Sequence, residues 1–150
     1  AARLDRQSAL TVRMAEAGMR VTAGEVLIAP GDRHMALRRD GFGYLCEIVD
    51  GPPVSGHRPS VDVLFNSVAE VAGANAVGVI LSGMGRDGAS GMAAMHAAGA
   101  WTIGENEQSC VVYGMPRMAK LAGGVAVEMP LGQIPAEMLR AAAAPAARST

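Results

Sequence analysis

Asn75 to Met92 reads NAVGVILSGMGRDGASGM, and this stretch decides the fold. Val77, Gly78, Val79, Ile80 and Leu81 form a short apolar run bounded by turn formers, the pattern of a buried parallel strand. The run breaks into Ser82-Gly83-Met84-Gly85-Arg86-Asp87-Gly88, after which Ala89 to Ala98 has the composition of a small-residue helix weakened by Gly91. A strand passing through a glycine-rich turn into a helix puts that turn at the carboxyl edge of a sheet, where open α/β folds place their sites. Asp87 is the only carboxylate in the turn. It stands near a helix N-terminus, where backbone N–H groups and the helix dipole favour an ionised acid. Helix cap and functional acid are both open readings of Asp87 at this point.

The flanks extend the same pattern in both directions. Ser60 is placed to cap a helix carrying Val61, Leu64, Phe65, Val68, Ala69 and Ala72 on one face at the 3.6-residue period. Beyond the turn come a strand over 100–104, a short helix near 116–121, a strand over 125–129 and a last helix near 133–142. Strands alternating with helices at this spacing predict βαβ units and a parallel sheet. The first third differs. Leu10–Met14 and Glu25–Ala29 read as strands, and His34–Arg38 and Tyr44–Val49 flank a turn-forming stretch as a hairpin. Gly51-Pro52-Pro53-Val54-Ser55-Gly56 is incompatible with helix and forms a stiff turn. The fold class is therefore α/β: a mainly parallel sheet flanked by helices in three layers, with a small antiparallel patch in the first third. Residues 1–140 make one domain, and 141–150 a frayed tail.

Composition narrows the function. Half of the 150 residues are hydrophobic but only 3% are aromatic, so the core is built from small aliphatic residues and the 10 Met, read as flexible filler. The formal net charge of −1 lacks the basic footprint of a nucleic-acid partner. No apolar run reaches the roughly 18 residues of a membrane span, and no secretory signal opens the chain. Cys46 and Cys110 lie far apart without a CxxC, so a reducing cytoplasm is the expectation. His34, His57 and His96 share no metal-ligand spacing, so neither metal nor cofactor is expected.

Two chemistries compete for the turn. Gly83 to Gly88 is a literal GxGxxG after a strand and before a helix, and Glu105 follows the next strand 17 positions after Gly88, close to the acid a dinucleotide fingerprint requires. Against this, Asp87 would repel a pyrophosphate at that site, and the fingerprint usually opens its domain. In the other chemistry Asp87 is the buried acid of a hydrolytic triad, fixing a histidine tautomer and stabilising the imidazolium formed when that histidine takes the nucleophile's proton.

Four strings, Gly24–His34 (GEVLIAPGDRH), His57–Phe65 (HRPSVDVLF), Ala76–Gly91 (AVGVILSGMGRDGASG) and Ser109–Arg117 (SCVVYGMPR), together resemble the catalytic domain of the chemotaxis-type protein-glutamate methylesterases. The resemblance runs in order from about Arg3 to Ile134. It implies a serine hydrolase that cleaves glutamate methyl esters on chemoreceptors, and commonly also deamidates receptor glutamines. Carried over by position, Asp87 is the triad acid, and Met84 lines the active site close to the nucleophile. The family's serine lies in an SxGG-type turn and its histidine in a QHM-like segment. Neither string occurs in these 150 residues. The expectation is a domain lacking its amino-terminal portion, opening inside the helix after the histidine, inactive alone and exposing an apolar sheet edge. The family's receiver domain is likewise not in this sequence, and the alternative remains a dinucleotide-binding or catalytically dead interaction module.

Other residues carry weaker signals. His57, Arg58 and Arg86 are candidate substrate contacts beside acidic receptor segments; His57 and Arg58 can equally anchor their proline-bearing loop. Arg117 shares the charge argument. Ser60 reads as a helix cap, and His34 and His96 as surface or packing residues. Ser109 and Cys110 are expected to support Val111–Val112, and a Ser82–His57–Asp87 triad, the local substitute for the missing groups, would be a new arrangement and is not the expectation.

Overall fold

The computed structural model describes residues 1–144. Its elements run in chain order as α1 (Ala2–Gln7), β1 (Thr11–Met14), β2 (Glu25–Ile28), β3 (His34–Asp40), β4 (Gly43–Val49), α2 (Val61–Val71), β5 (Val77–Ile80), α3 (Ala89–Ala97), β6 (Trp101–Glu105), α4 (Met115–Leu121), β7 (Val127–Met129) and α5 (Ile134–Ala143). The α/β alternation predicted after Ser60 is present throughout, with boundaries within about two residues. α5 continues to Ala143, so the first three residues of the expected tail close a helix, and 145–150 lie outside the described residues.

The strands form three separate sets. β5, β6 and β7 are parallel in the order β5-β6-β7, with Val77 opposite Trp101 and Ile103 opposite Val127. β3 and β4 form the expected antiparallel hairpin. β1 and β2 pair parallel, Thr11 with Glu25 through Met14 with Ile28, so antiparallel pairing in the first third is limited to β3–β4 and an isolated bridge of Arg20 to Leu45 of β4. β5 has β6 on one edge and no strand on the other among the described residues.

The core follows from small residues allowing close approach. Ile80, Met92 and Ala119 are buried together, with Phe65, Met115 and Val125 against them. Met92 and Met95 press on Gly78 of β5: a Cβ there would stand 3.1 Å from Met92 Sδ and Met95 Cε. The filler reading of methionine holds for these two. α2 packs on both α3 and β3, and Ser67 of α2 accepts the N–H of Leu37 at 2.8 Å. An apolar cleft of about 200 Å³ opens between β2, the β3–β4 hairpin and Leu64. It shares no lining residue with the 82–88 turn.

No helix among the described residues is long and apolar enough to cross a membrane.

Candidate active site

Asp87 is 3% exposed, and the groups that surround it come from a helix other than its own. Its Oδ1 accepts the Ser60 hydroxyl at 2.7 Å and the Asp62 N–H at 3.0 Å, and its Oδ2 accepts the Val61 N–H at 2.8 Å. Val61 and Asp62 open α2, so Asp87 takes the free donors and faces the positive end of that helix. A cap on α3, the helix that follows Asp87 in sequence, was the local expectation; the cap is on α2. Sequence distance hides this, because the two segments meet only through the fold.

The arrangement is reciprocal. Asp62, in the first turn of α2, accepts the N–H of Gly91 in the first turn of α3 at 2.8 Å, and its other oxygen lies 3.4 Å from the Ser55 hydroxyl. Each helix start is capped by an acid from the other. Gly91 permits it: a Cβ there would lie 2.5 Å from Phe65 Cβ and 3.3 Å from the Asp62 backbone. The glycine that weakens α3 as an isolated helix is what lets α2 and α3 touch.

At two of its three glycines the turn is closed to a dinucleotide, although Gly85 has open space beside it. Gly88 adopts φ +91°, and a Cβ there would sit 2.8 Å from Val61 Cγ1. At Gly83 a Cβ would meet Met115 Sδ at 2.5 Å, so both glycines face protein rather than an open cradle. The α3 N-terminus that would bind pyrophosphate already holds Asp62. Glu105 is 2% exposed; it accepts the Ser82 N–H at 2.8 Å and the Ser109 hydroxyl at 2.9 Å, which ties the ends of β5 and β6 together. A ribose would have to displace both.

His57 comes to the site through a tight hairpin. Val54 and His57 exchange both backbone hydrogen bonds, and Ser55 and Gly56 between them have φ of +52° and +78°, the positive values a two-residue turn of this hand requires. His57 is about half exposed; its Nδ1 lies 4.0 Å from Asp87 Oδ2 and donates to the Ser55 carbonyl at 2.8 Å. Arg58 donates to the Gly51 carbonyl at 2.8 Å, the loop-anchoring bond. Arg86 is exposed in the turn, and neither it nor Arg117 forms an ion pair among the described residues.

On the other side of the turn, Met84 is 82% exposed and Val111 93%. Their segments are stitched by a parallel bridge between Gly83 and Tyr113, by Gly83 N–H to the Val112 carbonyl at 3.1 Å and by Met115 N–H to the Gly83 carbonyl at 2.8 Å. The Ser82 hydroxyl is engaged with Val112, accepting its N–H at 2.9 Å. It makes no bond to His57 or Asp87, and the substitute Ser82–His57–Asp87 triad is not assembled.

Further residues take roles that sequence reading missed. Ser60 occupies the N-cap position of α2, but its side chain makes no bond to its own helix and goes to Asp87. His34, expected as a surface or packing residue, is buried and bonded through both ring nitrogens: Nδ1 accepts the Ser60 N–H at 3.2 Å and Nε2 donates to the Pro52 carbonyl at 2.9 Å. His96 lies on the surface, 3.2 Å from the Thr102 hydroxyl. The Ser109 hydroxyl, expected to support Val111–Val112, instead donates to Glu105 at 2.9 Å and accepts the Leu131 N–H at 3.0 Å. Burial, then the Glu105 charge, push the Cys110 thiol above its usual range, and burial does the same at Cys46, against reactivity at either. Among the described residues no group of His, Cys, Asp and Glu is placed to hold a metal.

Comparisons with known proteins identify the family and the fold. A family model described as CheB methylesterase matches residues 1–138. The chain is 59% identical over 139 residues to a protein-glutamate methylesterase/protein-glutamine glutaminase of Salmonella typhimurium, covering 93% of this chain and 40% of that protein. A protein of the same description from Escherichia coli is 58% identical over 137 residues, covering 91% and 39%. Among solved structures, the CheB methylesterase catalytic domain of Thermotoga maritima superposes with a TM-score of 0.89 at 35% identity, covering 93% of this chain and 74% of that one. The chain belongs to the CheB methylesterase family, a hydrolase family. It spans about two fifths of the length of the curated relatives it matches.

Proposed function

We propose that this chain carries the acid half of a Ser-His-Asp methylesterase site, with Asp87 as the triad acid and Met84 as a wall beside the nucleophile. The buried Asp87 carboxylate at the strand-end turn, held by three donors, is the observation that carries this reading. A triad acid has to keep one orientation through the cycle, and this one is gripped from a helix N-terminus. The serine and histidine come from the part of the family fold outside these 150 residues. In the completed site, serine Oγ attacks the glutamate ester carbonyl while the histidine takes its proton. The histidine then returns that proton to the departing methoxide, giving methanol. Water repeats the cycle on the acyl-enzyme and leaves a glutamate carboxylate. Deamidation of a glutamine follows the same steps with ammonia leaving.

The substrate side is an acidic receptor helix bundle presenting its ester on an exposed glutamate. The rim available to it comprises loop 51–60, turn 82–88 and segment 105–116, with His57, Arg58 and Arg86 as contacts. Arg86 is solvent-facing and forms no ion pair among the described residues, the state that suits steering; Arg58 combines that role with its bond to Gly51. Exposed charges of this kind are screened beyond about 8–10 Å at physiological ionic strength. Arg58→Ala and Arg86→Ala should therefore lower the second-order rate on receptor and flatten its salt dependence. The domain is taken as 1–140, a receiver domain is the regulatory partner that the family resemblance implies, and the setting is cytoplasmic.

The test is methanol release from methylated receptor. Residues 1–150 alone should release none above background; completed with the amino-terminal part of a matched catalytic domain, the chain should turn over. Asp87→Asn should then cut the rate on the order of 10⁴-fold by leaving the histidine in the wrong tautomer. Full activity in Asp87→Asn refutes the assignment. The open edge of β5 and the exposed Met84 and Val111 also favour self-association of 1–150. A monomer by sedimentation that unfolds cooperatively would overturn that part.

A further inference from the structure

We infer that Ser60 and His34 are positioning residues for Asp87, and that they leave Oδ2 as the one carboxylate oxygen on which a catalytic histidine can donate. The inference rests on Asp87 being the triad acid.

Ser60 stands where a serine ordinarily accepts an N–H from its own first helical turn. Here it does not; its hydroxyl donates to Asp87 Oδ1 at 2.7 Å, and Asp87 takes over the helix donors. Counting acceptor sites then settles which oxygen is open. Each carboxylate oxygen has about two lone-pair sites. Oδ1 is filled by the Ser60 hydroxyl and the Asp62 N–H, whereas Oδ2 holds only the Val61 N–H. The single remaining site is on Oδ2. That oxygen faces the exposed His57 loop, and His57 leaves it unclaimed because its Nδ1 proton is committed to the Ser55 carbonyl.

His34 fixes Ser60 from behind. The Pro52 carbonyl has no proton to give, so Nε2 of His34 carries it, and the bare Nδ1 accepts the Ser60 N–H. One chain of donors and acceptors thus runs from Pro52 through His34 and Ser60 to Asp87. The stiff proline turn sets its far end. Without the Ser60 hydroxyl, Oδ1 loses its shortest bond, and the carboxylate can rotate between its remaining N–H donors. Misplacement by about 1 Å in such a site costs on the order of 10²-fold in rate.

The completed enzyme tests this. Ser60→Ala should lower kcat about 10²-fold with KM unchanged, and Ser60→Thr, which keeps the hydroxyl, should recover kcat to within a few-fold. In ¹⁵N spectra of residues 1–150, His34 should show a protonated Nε2 and a bare Nδ1. If Ser60→Ala keeps kcat within about 3-fold while Asp87→Asn is inactive, the positioning role falls and the triad assignment stands. If Asp87→Asn is itself active, the triad assignment falls first. Equal loss of kcat in Ser60→Ala and Ser60→Thr, tracking a fall in melting temperature, would mean bulk structural support and overturn the inference. So would a His34 ring protonated at Nδ1 alone.

Discussion

The two sides of the 82–88 turn are built on opposite terms. Around Asp87 every side-chain oxygen is engaged, the helix starts cap one another, and glycine lets backbones touch. Around Met84 the backbone is equally well stitched, to Val112, Tyr113 and Met115, but the Met84 and Val111 side chains stand in solvent. Apolar groups left out of a core are normal singly and informative when neighbouring segments present them together. Apart from the one open site on Asp87 Oδ2, the acid side is therefore built within this chain. The methionine side is a rigid frame awaiting a covering surface, which in the proposed function is the remainder of the active site and its substrate.

That contrast predicts a graded response to substitution. Gly91→Ala should be the most damaging, because a Cβ 2.5 Å from Phe65 Cβ forces α2 and α3 apart. A loss of about 1–3 kcal/mol is expected in denaturant midpoints of residues 1–150. A neutral result would show that the helices do not meet this closely. Asp62→Ala removes the acceptor of the Gly91 N–H, and a loss near 1 kcal/mol, the usual worth of a helix cap, is expected from the same measurement. Asp62→Asn keeps an acceptor oxygen and should recover most of it.

On the open side the stability effects should nearly vanish. Met84→Ser should change the stability of residues 1–150 by less than about 0.5 kcal/mol, since the side chain is 82% exposed, yet lower turnover in the completed enzyme. Thermal melting and methanol release, read together, separate the two. A large loss of stability would mean that Met84 belongs to the finished side after all.

The smallest effect lies outside neutral pH. Tyr113, whose backbone pairs with Gly83, donates to Glu128, and this bond, followed by burial and the Glu128 charge, pushes the phenol up to about 12. A raised tyrosine favours the neutral, folded form. Its contribution is complete below the ordinary value near 10 and is lost as pH rises from about 10 to about 12. In a Tyr44→Phe background, the tyrosinate absorbance should rise late and return toward the ordinary value in Glu128→Gln. Superimposable titrations would remove Glu128 as the anchor of this segment.

Much of this molecule could be read from local pattern. The run Val77–Leu81, the glycines after it and the apolar period from Val61 to Ala72 specify strand, turn and helix through forces that act within a few residues. The α/β alternation and the place of Asp87 at a strand-end turn follow from them. The family strings lie in the same segments. What sequence could not supply is which groups meet across the fold. Asp87 looks like the cap of α3 because α3 is next in sequence, but its donors belong to Ser60, Val61 and Asp62, more than two dozen residues earlier. Ser60 carries the signature of a self-capping serine, and only the arrival of Asp87 at that helix end redirects its hydroxyl. His34 has no local pattern at all; its role exists because β3 brings it between the proline turn and the start of α2. Local propensity is set by near neighbours, whereas a carboxylate's partners are set by whichever donors packing leaves unpaired, and here tertiary structure alone chose them.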